Sequence, residues 1–326
     1  MKLNDFRQID IAIVVPAYNV ESKIKGVIRS IPSYIKNIIV VDDASTDHTN
    51  EIIANIAQED PRITLIQHKK NLGVGGAMVT GFQEALRSSA QIIVKMDGDG
   101  QMSVDDLPRL IMPLITGEAD YAKGNRFLDI TVLHKMPFIR LVGNTALSFI
   151  VKAATGYWDC IDPSNGFLAI RRDILIQIPL NKIHHSFFFE ISLLSQLYLI
   201  DAYIKNIPLP TRYGDEKSHL SILQVLSEFP GRLFLILARR ILLKNFLYNF
   251  SMESIYLLLG LPMLIFGGIY GGINWIRYDR LGIGAPTGTI MIAVLSIILG
   301  FQMLLSAIHL DLNKVPKTPI NSGRLE

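Results

Sequence analysis

A single cysteine, Cys160, stands among 326 residues, so no intrachain disulfide can form and the chain suits a reducing compartment. Charge of one sign is scarce in excess: 32 Lys and Arg against 29 Asp and Glu leave +3, too little to argue for a nucleic-acid partner. No Gly-x-Gly-x-x-Gly follows the first apolar strand, which argues against a dinucleotide oxidoreductase. Met1 to Asp10 is polar and the next apolar stretch, Ile11 to Pro16, is far too short for a secretory leader, so none is expected. Internal repeats and low-complexity linkers are missing as well. Charged residues, finally, are absent from two long runs, Ser254 to Ile276 and Leu281 to Ile308.

Those runs fit a chain that is 49% hydrophobic. Each is long enough to cross about 30 Å of hydrocarbon, which takes roughly 20 helical residues. Gly260, Pro262, Gly267, Gly268, Gly271, Gly272, Pro286 and Gly300 lie within them and are tolerated in lipid-embedded helices. Arg232, Arg239, Arg240 and Lys244 precede the first run and Lys314, Lys317 and Arg324 follow the second, against Arg277 and Arg280 between them. Cations favour the cytoplasmic side, so an integral membrane protein with residues 1 to 250 and both termini in the cytosol is expected. Ser221 to Phe250 interleaves Leu and Ile with Arg and Lys, as helices at an anionic bilayer surface do. The expected segments are therefore 1–218 as the cytosolic domain, 219–252 as juxtamembrane amphipathic helices, 253–310 as two spans, and 311–326 as a cytosolic tail.

In the cytosolic part, Ile11 to Val15, Ile38 to Val41, Ile63 to Gln67 and Ile92 to Met96 read as buried parallel strands. Glu21 to Ile31, Asp47 to Gln58, Gly75 to Ser88 and Val104 to Thr116 read as crossover helices. This pattern is a doubly wound α/β domain, whose ligands bind beyond the carboxyl ends of the strands. His184, His185 and Phe187 to Phe189 suggest an apolar wall, with no role for either histidine.

The chemistry-bearing residues collect at those strand ends. After the strand through Val94 come Asp97, Gly98, Asp99, Gly100 and Gln101. Alternate residues of a strand share a face, so Asp97 and Asp99 can aim oxygens at one hard divalent cation while the glycines let the chain turn away. A metal there suits a diphosphate. Asp42 and Asp43 lie in the loop after the second strand; Asp43 is a candidate acceptor for a base or ribose, and Ser45 or Asp47 a candidate N-cap. Asn71 to Ala77 opens the next helix with glycines that can bring backbone N–H groups to a phosphate. Asp105 and Asp106 sit at a helix start, where the dipole explains them.

Val14-Val15-Pro16-Ala17-Tyr18-Asn19, Val41-Asp42-Asp43-Ala44-Ser45-Thr46-Asp47, Asn71-Leu72-Gly73 with Ala77 beyond, and Asp97-Gly98-Asp99-Gly100-Gln101 resemble, in this order, the inverting glycosyltransferases of family two with a GT-A fold. Within that family, Asp162-Pro163-Ser164-Asn165-Gly166-Phe167 and the paired C-terminal runs look like the dolichyl-phosphate mannose synthase and polyprenyl-phosphate glucosyltransferase branch. The resemblance implies that Pro16, Ala17, Tyr18, Glu21 and Asp43 hold the nucleoside, with Gly98 and Arg126 also on the donor side. It implies that Asp97, Asp99 and Gln101 hold Mg²⁺ or Mn²⁺, and that Asp162, Ser164, Asn165, Arg212 and Lys217 meet the acceptor. Asp99, Arg212 and Lys217 are its candidates for catalysis. Arg212 to Ser218 departs from the branch, whose Arg and Gly are usually followed slightly farther on by a Ser-Lys pair; here the pair is reversed and the spacing shorter, so which phosphate atoms Arg212 and Lys217 touch is open.

The expected activity is transfer of a hexose from a nucleotide sugar, UDP-glucose first and GDP-mannose second, to a polyprenyl or dolichyl phosphate at the cytosolic membrane face. A lipid phosphate with a second pKa of about 6 is its own nucleophile at neutral pH. A hydroxyl acceptor, as on a glycolipid or polysaccharide, is the alternative and needs a carboxylate base, for which Asp99, Asp105, Asp106 or Asp162 are candidates. A membrane-anchored nucleotide-binding scaffold without activity is the alternative of another class; the intact carboxylate pair and Gln101 argue against it. The partners are a nucleotide sugar, a polyprenyl phosphate and the bilayer, and a homo-oligomer is compatible with them.

Overall fold

The computed structural model describes residues 9–125, 138–163, 165–209, 222–322 and 325. They form two compact units: residues up to Leu237 with the tail from Pro316, and Ala238–Val315. These boundaries cut across the expected segments 219–252 and 311–326.

The first unit is built on a seven-stranded sheet, β1 (Ile11–Ala17), β2 (Asn37–Asp42), β3 (Ile63–Gln67), β4 (Ile92–Lys95), β5 (Tyr121–Asn125), β6 (Leu168–Arg171) and β7 (Ile204–Pro208). Their order is β3-β2-β1-β4-β6-β5-β7. The first four strands are parallel and alternate with α1 (Ile24–Ser30), α2 (Thr49–Glu59) and α3 (Val74–Ala85), followed by α4 (Leu107–Ile115). The expected strands and crossover helices all appear. One face of β1, Ile11, Ile13 and Val15, packs with Ile24 and Ile28 of α1 and Leu110 and Leu114 of α4. On the other face α3 comes so close that a Cβ on Gly81 would lie 2.2 Å from Val14 Cγ1. Both faces are thus covered, which is why these strands read as continuous apolar runs.

The far half of the sheet was not legible beforehand. β6 runs antiparallel to both β4 and β5, and β7 pairs parallel with β5, so the sheet is mixed. Around it lie α5 (Phe138–Thr155), the single turn α6 (Arg172–Leu175), α7 (Phe189–Leu199) and α8 (Ile222–Ile241). Phe188 packs with Val151, Ala154, Ile191 and Leu233, so the aromatic wall expected there is core at Phe188 and Phe189, while Phe187 is exposed.

The tail belongs to this unit. Asp120 Oδ2 accepts the amides of Tyr203 and Ile320 at 2.9 Å each. Arg171 Nη1 donates to Asn321 O at 3.1 Å, and Asn321 Nδ2 to Asp173 Oδ2 at 2.7 Å.

In the second unit α9 (Met252–Leu281) and α10 (Thr287–Asn313) are long and apolar enough to cross a membrane. Only 11% and 17% of their most apolar stretches are buried, so neither helix is covered by the rest of its unit. Small residues set their contact: a Cβ on Gly260 would lie 3.1 Å from Gly300 O, and one on Gly300 2.7 Å from Leu264 N. Polar groups gather at one end of the pair. Arg240 is bonded to Asp311 at 2.5 and 3.0 Å, Asn245 Nδ2 donates to Glu253 Oε1 at 2.6 Å, and Lys314 pairs with Glu253 at 2.6 Å. Arg240, expected among the cations facing lipid headgroups, is instead neutralised by a buried carboxylate.

Candidate active site

The carboxyl ends of β1, β2 and β4 lie side by side, because β1 pairs with both of the others. Three loops meet there. Asn19 N donates to Ser45 Oγ at 3.0 Å and Thr46 N to Asn19 Oδ1 at 2.8 Å. Asn19 and Ala44 both take positive φ, 52° and 60°, a conformation that non-glycine residues adopt at a cost and that concentrates at functional loops. Gly98 presses the third loop onto the first: a Cβ there would lie 3.3 Å from Pro16 O and 3.2 Å from Ile24 Cδ1. The structure therefore brings Pro16, Ala17 and the half-exposed Tyr18 together with Asp97, Gly98 and Asp99.

Glu21 and Asp43 are committed within the protein. Glu21 Oε2 accepts the amide of His48 at 3.0 Å, and Glu21 N donates to Asp47 Oδ2 at 3.2 Å. Together with the Thr49 amide donating to Asp47 Oδ1 at 3.0 Å, this caps α2, so the capping role expected of Asp47 is shared with Glu21. Asp43 takes His68 Nδ1 at 2.7 Å and the amides of Leu72 and Gly73 at 2.8 and 2.7 Å. It organises the loop into α3. On the neighbouring residue, Asp42 Oδ2 is one of the buried acceptor atoms with no hydrogen-bond partner among the described residues.

The glycines opening α3 serve packing. Gly76 N donates to His185 O at 3.0 Å, and a Cβ on Gly75 would fall 2.1 Å from His184 O. The space expected to cradle a phosphate is filled by the backbone of residues 184–186. At the start of α4, Ser103 Oγ accepts the Asp105 amide at 3.3 Å, consistent with a helix-end role for Asp105 and Asp106.

Asp97 and Asp99 form the core of the site. Burial raises the Asp99 carboxyl above its ordinary pKa and the neighbouring Asp97 adds to it, against the hydrogen bond from Gln101 N. Two carboxylates that repel each other at a strand end are the arrangement a divalent cation relieves. A Cβ on Gly166 would sit 2.7 Å from Asp97 Oδ2, so only glycine leaves room beside that oxygen. No third His, Cys, Asp or Glu joins them among the described residues. The chemistry of this pair fits a divalent cation such as Mg²⁺ or Mn²⁺, which Asp97, Asp99 and the exposed Gln101 would hold. Ionised Asp99 is disfavoured in the fold, so Asp99→Asn is expected to raise the melting temperature at neutral pH. The gain should shrink as pH falls through the carboxylate range, where Asp99 itself takes a proton. An Asn variant that melts lower at pH 7 contradicts this.

Of the residues expected to meet the acceptor, Asp162 and Asn165 are buried and shape their own loop. Asn165 Nδ2 donates to Asp162 Oδ2 at 3.4 Å, and Phe167 N to Asn165 Oδ1 at 2.9 Å. Arg126, Ser164, Arg212 and Lys217 lie outside the described residues. Two lysines went unnoticed in the sequence. Lys95 Nζ contacts Asp97 Oδ1 at 2.6 Å and Glu190 Oε1 at 3.5 Å, and Lys123 Nζ donates to Asn165 O at 2.6 Å. Both lie in strands whose other residues are also buried.

Paired carboxylates thus stand at the carboxyl edge of a mixed seven-stranded α/β sheet. Residues 12–178 match Glycosyl transferase family 2, half of the chain, and the chain belongs to that family. The UDP-N-acetylglucosamine–dolichyl-phosphate N-acetylglucosaminyltransferase of Methanococcus voltae is 34% identical over 178 residues, 51% of this chain and 70% of its own length. The dolichol-phosphate mannosyltransferase of Pyrococcus furiosus is 28% identical over 209 residues, 63% of this chain and 56% of its own length; this chain thus spans little more than half of that relative. Relatives of this kind transfer sugars to dolichyl or polyprenyl phosphate. In fold, the glucosyl-3-phosphoglycerate synthase of Mycobacterium tuberculosis, solved with Mn²⁺, UDP and its product, superposes with a TM-score of 0.53 at 22% identity, covering 73% of this chain and 81% of that one.

Proposed function

We propose that this protein transfers a hexose, by inversion, from a nucleotide sugar to a polyprenyl phosphate at the cytosolic face of a membrane. The observation that carries the reading is the meeting of Asp97 and Asp99 with the Pro16–Tyr18 loop on one side and Gly166 on the other, in a chain with two span-length apolar helices. A UDP-sugar, glucose or its N-acetylamino derivative, is proposed ahead of GDP-mannose; the UDP-dependent relative supports that order.

A divalent cation held by Asp97, Asp99 and Gln101 would neutralise the charge that develops on the departing diphosphate. Tyr18 and Pro16 line the nucleoside side, and Asp43 and Glu21 hold the loops that frame it. A lipid phosphate oxygen attacks the anomeric carbon, the bond from that carbon to the diphosphate breaks, and nucleoside diphosphate leaves. The attacking oxygen is already ionised, so no carboxylate need take a proton. Arg212 and Lys217 are proposed to bind the acceptor phosphate or the donor diphosphate, and Arg126 the donor.

Cytosolic placement rests on the cations flanking the apolar runs. The return of the tail to Asp120, Arg171 and Asp173 supports a tail and a catalytic domain on one and the same side, with the apolar helices between them crossing as a pair.

Incubation of membranes with labelled sugar nucleotides and polyprenyl phosphate tests the reading. The expected product resists phosphatase and releases sugar and polyprenyl phosphate in mild acid. Single-turnover transfer should rise as the lipid phosphate ionises, around pH 6, and then stay flat. An acid-stable glycoside on a neutral lipid rejects it in favour of a hydroxyl acceptor.

A further inference from the structure

β6 lies between β4 and β5, and its first residue, Leu168, is the register partner of Lys95 on one side and of Lys123 on the other. Residues in register across neighbouring strands project to the same face of a sheet. The two lysines therefore stand in one row, both buried, with relative exposures of 1% and 0%. Their amino groups reach consecutive carbonyls of the segment that enters β6: Lys123 Nζ donates to Asn165 O at 2.6 Å, and Lys95 Nζ to Gly166 O at 3.2 Å. Lys95 reaches Asp97 Oδ1 at 2.6 Å from the same nitrogen.

Burying two amino groups is costly, and an apolar pair of similar volume would fold at least as well. Lys95 keeps its charge through Asp97 and Glu190, which outweigh the opposing effect of burial and raise its pKa. Among the described residues Lys123 Nζ has a carbonyl and no carboxylate as its acceptor, and burial lowers its pKa. Neither arrangement is needed to close the sheet, because the β4–β6 and β5–β6 ladders are complete beside it. What the pair does fix is a distance. It holds the Asn165–Gly166 backbone down so that Gly166 lies against Asp97, where even a Cβ would come within 2.7 Å of Asp97 Oδ2.

We propose that Lys95 and Lys123 form a two-armed clamp that sets the spacing between the acceptor-side segment 162–167 and the donor-side carboxylate Asp97. Both are positioning residues, and the proposal rests on the assignment of segment 162–167 to the acceptor side. Lys123 is the arm remote from the metal carboxylates, so it separates positioning from metal binding. Without it the carbonyl of Asn165 loses its partner and the segment lifts, while the turn at Asp97 to Gln101 stays in place. Misplacement of reacting groups by about 1 Å can cost on the order of 100-fold in rate.

The test uses full-length protein in detergent. Lys123→Met is expected to keep or raise the melting temperature, to bind Mn²⁺ with UDP within about 2-fold of the parent by calorimetry, and to lose about 10-fold or more in kcat while the KM for polyprenyl phosphate rises. Lys123→Gln, which retains an N–H donor, should recover part of that loss, and it carries the test if the Met variant does not fold. Amide exchange at Gly166 to Leu168 should accelerate about 10-fold in Lys123→Met with the β1 amides unchanged. A folded Lys123→Met with parental kcat, parental acceptor KM and parental exchange overturns the clamp. If the parent itself does not use polyprenyl phosphate, the proposed function fails, and the exchange result alone then decides whether Lys123 fixes the segment.

Discussion

Asp99→Asn is expected to abolish transfer in a protein that folds at least as well as the parent, and chelation of divalent ions should do the same to the parent. The loss should reach about 100- to 1,000-fold or more, the usual consequence of removing one preorganised group that offsets developing charge. Asn is nearly isosteric and can still accept the Gln101 amide that Asp99 Oδ1 now takes at 3.0 Å, so only charge is removed. Asp97→Asn should be as inactive for a less simple reason. It also strips the ammonium of Lys95, 1% exposed, of its nearest counter-ion, leaving Glu190 at 3.5 Å, and breaking one half of a buried pair is strongly destabilising. The two variants should therefore part company in melting temperature while agreeing in activity. Titration of Mn²⁺ into each, followed by calorimetry, checks that binding is what was lost. A fully active Asp99→Asn would sink the metal assignment.

What the sequence made legible is what is local. Two carboxylates two residues apart at the end of an apolar strand share a face whatever the rest of the chain does, and each of the first four strands carries its own hydrophobic signature. The far half of the sheet lacks such independence. β6 is four residues long, Leu168–Arg171, and its antiparallel place between β4 and β5 depends on partners some 45 to 80 residues away in the chain. Lys95 and Lys123 look, in sequence, like charges that would end a strand or face water; only the carbonyls of Asn165 and Gly166, brought in by β6, make them interior. Asp43 shows the same dependence: its motif makes it a ligand candidate, and only the fold brings the amides of Leu72 and Gly73 to its buried carboxylate. The tail shows the same limit at greater range: Ile320 meets Asp120 across 200 residues, and nothing in residues 316–322 announces a docking segment.

Arg240→Met is expected to weaken the second unit more than any substitution on the exposed apolar sides of α9 and α10. Arg240 is 6% exposed and Asp311 7%, and the guanidinium grips both carboxylate oxygens, at 2.5 and 3.0 Å. Bidentate geometry of this kind is the strong form of a charge-assisted bond. Removing the cation leaves Asp311 buried without its counter-charge, a change that costs about 3–5 kcal/mol where it has been measured in protein interiors. Removing both charges does not. Arg240→Met combined with Asp311→Leu fills the space with apolar volume and should return most of the loss, because desolvation of the pair is then avoided rather than left uncompensated. Unfolding by SDS, read on the tryptophans of full-length protein, measures the difference: a lowered midpoint for the single variant and a midpoint near the parent's for the double one. Equal losses in the two would mean that the pair is held by its surroundings and adds no stability of its own. On the proposed function, transfer to long-chain polyprenyl phosphate should follow the midpoint, falling in the single variant and recovering in the double, because Arg240 lies in the last turn of α8, where the chain passes from the first unit into the second.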